Sequence, residues 1–70
     1  MYYFKEVEKA KLLQGRTVRY LAKKKLHVNE GYLSQILNGI RGCSIRLAEN
    51  ITNCISWSAK LEDYFYKKGE

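Results

Sequence analysis

The chain of 70 residues has no proline, one tryptophan, one methionine, one histidine and two cysteines. Without proline, and with only five glycines, little interrupts a helix, so a helical chain with short connections is expected. Cys43 and Cys54 lie far apart without Cys-x-x-Cys spacing, and His27 is near neither. They read as small apolar thiols, with no metal site, disulfide or cofactor expected. No run approaches the ~20 apolar residues that span a bilayer. The opening Met1-Tyr2-Tyr3-Phe4-Lys5-Glu6 lacks a basic stretch followed by an apolar one, so no signal peptide and no membrane association are expected, and the cytoplasm is the expected compartment. No acid pair in a cleft-forming context, no supported Cys–His arrangement and no glycine-rich phosphate loop stands out. A domain this small seldom encloses a substrate, so catalysis is not expected.

What is present argues for one folded domain, residues 1–70. Hydrophobic residues make up 46% and tyrosines number six, enough for a core, although a chain of this size buries only about 60% of its unfolded surface. The net charge of +6 is localised. Residues 15–46 hold Arg16, Arg19, Lys23, Lys24, Lys25, Arg41 and Arg46 against Glu30 alone, while the flanks balance to zero. A solvated face explains many charge runs, but a confined basic patch is what attraction to phosphate requires.

Periodicity predicts about five short helices. Tyr3, Val7, Ala10 and Leu13, with Leu12 beside them, predict a helix over 3–14 that Gly15 stops. Thr17 is an N-cap for a helix over 18–25 with Val18, Leu21 and Ala22 on its apolar side. Asn29 caps a helix over 30–38, where Leu33, Ile36 and Leu37 share one side and Tyr32, Gln35 and Asn38 lie largely outside. Ser44 caps a helix over 45–53 with Ile45, Ala48, Ile51 and Leu47 inward. Trp57, Leu61, Tyr64 and Phe65 repeat at helical steps over 57–67, closed by Gly69. The fold expected is an all-α compact bundle.

Two short helices across a tight turn, with Ala22 small enough to let the axes approach, describe a helix-turn-helix. Leu21-Ala22, Val28-Asn29, Tyr32-Leu33-Ser34 and Asn38-Gly39-Ile40-Arg41, followed by Ser44, Ala48 and Ile51, resemble the phage-repressor helix-turn-helix family, the group containing Cro and lambda repressor. The resemblance covers roughly residues 17–55, and Leu-Ser-x-x-Leu-Asn-Gly-x-Arg is its most specific part. It implies double-stranded DNA as partner, with the 30–38 helix in the major groove. Glu30, Gly31, Tyr32 and Gln35 would face base edges, Gln35 pairing with adenine and Glu30 accepting from cytosine. Thr17, Arg19, Lys25, Asn38 and Arg41 would contact phosphates and set register. Several of these residues also have plain structural uses: Thr17 as a cap, Tyr32 as apolar cover, Asn38 as a terminator. The chain departs from the family in two places. Five residues separate Ala22 from Val28 where the family usually has four, so either the helix is longer or bulged or the turn is wider. His27 stands where the family usually has glycine.

The aromatic C-terminus, Trp57, Leu61, Tyr64 and Phe65, either completes the core or forms a two-fold contact in a homodimer on DNA. The function expected is sequence-specific transcriptional regulation, as a repressor of phage, mobile-element or bacterial type. The alternative is a protein-interaction module on the same fold, such as an antitoxin, antirepressor or inhibitor, using the aromatic C-terminal helix. A nonspecific architectural DNA binder fits less well, because Glu30 would repel phosphate without a base to receive it.

Overall fold

Residues near the two ends of the chain are three-residue segments rich in aromatics, a composition that suits strands, and they pair. In the computed structural model, which describes residues 1–68, β1 (Tyr2–Phe4) runs antiparallel to β2 (Phe65–Lys67), with Tyr2 opposite Lys67, Tyr3 opposite Tyr66 and Phe4 opposite Phe65. The pleat sends alternate side chains to opposite faces. Phe4 and Phe65 both turn inward and meet edge to face at 5.2 Å, while Tyr3 and Tyr66 stack on the other face at 6.0 Å. Tyr2 also exchanges backbone hydrogen bonds with Cys43, so β1 lies between β2 and the 42–43 segment. Gly42 permits this approach, since a Cβ there would come within 2.9 Å of the Met1 side chain and 3.0 Å of the Tyr3 ring.

The fold is therefore mostly helical, 59%, but not strictly all-α. The expected first helix over 3–14 begins instead as a 3-10 turn, Glu6–Glu8, leading into α1 (Lys9–Leu13). Pairing of residues 2–4 with a distant strand overrides helical spacing there. The expected apolar stripe shifts with it. Val7 is 86% exposed and Ala10 is exposed, whereas Leu12 is buried and Leu13 half-buried. Gly15 does lie at the stop, with Gln14 and Gly15 both left-handed. The Arg16 guanidinium closes α1 by donating to the carbonyls of Leu13 (3.1 Å) and Leu12 (3.4 Å).

Thr17 Oγ1 accepts the Tyr20 amide at 3.0 Å and starts α2 (Val18–Tyr20), which continues as a π-helical segment, Leu21–Leu26. The turn is wider than an α-helical one: the amides of His27 and Val28 both reach back to the Ala22 carbonyl, so the segment between Ala22 and Val28 is an expanded helical turn. π-Helical turns occur mostly as single-turn expansions inside α-helices. His27 closes the segment in the left-handed region, φ 56°, the conformation in which glycine carries no Cβ penalty.

Asn29 Oδ1 accepts the Tyr32 amide at 3.1 Å and caps α3 (Glu30–Leu37), which ends at Asn38 and a left-handed Gly39. Ser44 Oγ caps α4 (Ile45–Ile55), two residues longer than expected, through the Leu47 amide at 3.3 Å. Ala48 and Ile51 point inward as expected, joined by Thr52, whose hydroxyl donates to the Ala48 carbonyl at 2.8 Å; Leu47 is half-buried and Ile45 is half exposed. The expected helix over 57–67 is corrected to a connection, the single-turn α5 (Leu61–Tyr64) and β2. The same aromatic run that fits helical spacing has β propensity at its end, and pairing with β1 decides between them. Gly69, expected to end that helix, lies outside the described residues.

The core joins Leu12 of α1, Leu21 and Ala22, the α3 residues Leu33, Ile36 and Leu37, Ala48 and Ile51 of α4, Cys43, and the Phe4–Phe65 pair. A non-glycine residue in the left-handed region costs on the order of 1–2 kcal/mol, partly offset by the greater freedom glycine gives the unfolded chain. His27→Gly is therefore expected to raise stability by roughly 0.5–1 kcal/mol, read as a higher urea midpoint at unchanged slope; an unchanged or lower midpoint would show no strain there.

Candidate nucleic-acid interface

One side of α3 is buried through Leu33, Ile36 and Leu37, which leaves the opposite side of its N-terminal half in solvent. Glu30, Gly31 and Gln35 are exposed, and Tyr32 is half-buried against the core. The capping geometry leaves little room at Gly31, where a Cβ would come within 3.1 Å of the Asn29 Oδ1 that caps the helix. Backbone is thus bare at the second residue of α3, between the carboxylate of Glu30 and the ring of Tyr32.

Arg41 joins two of these residues. Its guanidinium lies over the Tyr32 ring at 5.0 Å, and its Nη1 donates to Gln35 Oε1 at 3.3 Å. The segment that carries it turns back over the end of α3, with the amides of Ile40 and Arg41 both donating to the Gln35 carbonyl. Tyr32, Gln35 and Arg41 form one cluster. Gln35 Oε1 is held by the cation, and its amide nitrogen is left to donate outward. The resemblance treats Arg41 as a phosphate contact, and only the fold of residues 38–41 reveals that it also orients Gln35 and covers Tyr32.

The other expected phosphate contacts are distributed differently. Thr17 is exposed while its hydroxyl caps α2, and Arg19 is exposed. Asn38 is engaged within the protein: its Oδ1 accepts from Lys9 Nζ at 2.9 Å, and its amide reaches Ser34 Oγ at 3.5 Å. Lys9 belongs to α1, and nothing in its local spacing signals this contact across 29 residues of chain. Lys25 is exposed and lines a depression shared with α4. Lys23 and Lys24 are also exposed. None of Arg19, Lys23, Lys24, Lys25, Arg41 and Arg46 pairs with a carboxylate among the described residues, where Lys11–Glu8 at 3.3 Å is the ion pair formed.

Of the four aromatic and apolar residues expected to complete the core or bridge two copies, Phe65 is buried, Leu61 and Tyr64 are half-buried against the core, and Trp57 is 92% exposed. No helix among the described residues is long and apolar enough to cross a membrane, and no group of three His, Cys, Asp or Glu residues there is placed to hold a metal. Comparisons with protein-family models, with curated proteins and with solved structures return no match.

The two thiols are free and differ in setting. Burial pushes the Cys43 thiol up to about 11, the nearby N-terminal ammonium offsetting part of this. Burial also raises Cys54, against the opposing charges of Arg16 and Lys25. A raised value means less thiolate than a free cysteine has at the same pH, hence slower attack on a disulfide reagent. In folded protein at pH 8, one thiol, that of Cys54, is expected to react, more slowly than free cysteine and faster as pH rises. Cys43 should react only on unfolding. Two equally fast thiols would contradict this placement.

Proposed function

We propose that the chain is a sequence-specific DNA-binding regulator of transcription, a repressor of phage, mobile-element or bacterial type, acting in the cytoplasm by binding rather than catalysis. In this reading α2, the π-helical segment and α3 form a helix-turn-helix of the phage-repressor type. The observation that carries it is the one-sided burial of α3, whose polar side is exposed beside cations that have no carboxylate partner. Eight residues of α3 rise about 12 Å, comparable with the major-groove width of about 12 Å.

On docking, Gln35 donates to a base acceptor while Arg41 holds its oxygen. Glu30 accepts from a cytosine amine, Tyr32 lies along a thymine methyl or reaches a phosphate, and the bare backbone at Gly31 permits close approach. Arg19, the lysine run, Thr17 and the outer edge of Arg41 contact phosphates, with Asn38 contributing only if it leaves Lys9 and Ser34. The chain acts as a homodimer on half-sites. Of the four residues considered for the dimer contact, Trp57 is the most available and Phe65 the least. The exposed indole also favours a second reading, a protein partner bound on the same fold.

Duplex binding measured against salt tests the proposal. With about four phosphates contacted, doubling the salt should lower affinity roughly tenfold. Arg19→Ala should weaken operator and scrambled DNA alike, whereas Gln35→Ala should narrow the gap between them by about 1–3 kcal/mol. Affinity indifferent to salt would exclude phosphate contact as the main attraction. Tight association that survives high salt and is lost in Trp57→Ala would favour the protein-partner reading.

A further inference from the structure

A depression with a volume of about 310 Å³ opens between the end of the π-helical segment and the C-terminal half of α4, lined by Arg16, Lys25, Leu26, Asn50, Asn53 and Cys54. It is distinct from the outer side of α3. Its lining offers hydrogen-bond donors and no carboxylate. The Arg16 guanidinium is fixed at three points, by the Leu13 and Leu12 carbonyls and by the Tyr20 ring 5.6 Å away. Its Nη1 has no partner among the described residues. The Lys25 ammonium and the carboxamides of Asn50 and Asn53 likewise have no hydrogen-bond partner there. Two cations, one of them already immobilised, thus face two amides beside an apolar wall of Leu26 and Cys54.

We propose that this depression binds a small free dianion bearing oxyanion groups, of the phosphate-monoester or short dicarboxylate class. Two positive charges match two negative ones. Charge-assisted hydrogen bonds from guanidinium and ammonium supply the attraction, and the carboxamides satisfy the remaining oxygens. The volume lies at the lower end of small-molecule sites, suited to a metabolite-sized ligand. Lys25 and Leu26 end the segment that leads through His27 to α3, so an occupant touches the chain just ahead of that helix. The inference does not depend on DNA binding.

The test follows the side-chain amide signals of Asn50 and Asn53 in the labelled full chain during titration with inorganic phosphate and, separately, succinate. Sodium chloride at matched ionic strength serves as reference. Saturable shifts with either dianion, accompanied by slowed reaction of the Cys54 thiol, are expected. Asn53→Asp places a carboxylate in the same shape and should weaken binding by about tenfold or more through like-charge repulsion; Asn50→Asp should do the same. Shifts that stay linear, or that chloride reproduces, would overturn the proposal. So would shifts elicited by a DNA duplex and by neither dianion, which would assign the depression to the DNA backbone.

Discussion

The rotation of α3 about its own axis is set by three side chains that solvent does not reach, Leu33, Ile36 and Leu37. Turning the helix by one residue, about 100°, would lift at least one of them into water at a cost of about 1.5–3 kcal/mol. The exposure of Glu30, Gly31 and Gln35 follows from that anchoring rather than from any preference of their own. The polar side of α3 is therefore presented by a rigid element, the condition for side chains to meet a ligand without first being ordered.

The elements packed against α3 are α2, the π-helical segment and β1. The β1–β2 pairing seats Phe4 against Phe65, and the Tyr2–Cys43 bridge ties the same small sheet to the segment joining α3 and α4. In a chain this short the core has few residues to lose, and closing the ends places two large rings among fully buried residues that, on the helices, include no aromatic. The π-helical segment serves the same end locally. It carries the buried Leu21 and Ala22 and leads through a left-handed His27 to the start of α3.

Signals that act over three or four residues were legible in the sequence. Thr17, Asn29 and Ser44 read as caps from their residue type and place, and each accepts the amide three residues on. The buried triad of α3 was legible for the same reason, as were Ala48 and Ile51. Pairings across the chain were not. Tyr2–Phe4 and Phe65–Lys67 lie at opposite ends, and the spacing of Tyr3, Val7, Ala10 and Leu13 satisfies a helical template as well as many true helices do. Val7 is exposed although it aligns with Ala10 and Leu13, because spacing tells which residues align, not whether anything covers them. The extra residue before Val28 marked an irregularity, but only backbone hydrogen bonding distinguishes a π-helical turn from a wider loop. In the candidate interface, the side chains of α3 were readable from position alone. The Arg41–Gln35 bond and the Lys9–Asn38 bond depend on how later segments fold back.

In the proposed function, the exposed polar side of α3 reads base edges while neighbouring cations hold phosphates. Selection of bound sequences from a pool of random duplexes tests this most directly. The account predicts enrichment of one short motif by the native chain, and loss of preference at a base position within that motif when Gln35 is replaced by alanine. A pool that remains random after repeated selection, under conditions where the chain is folded, would contradict it.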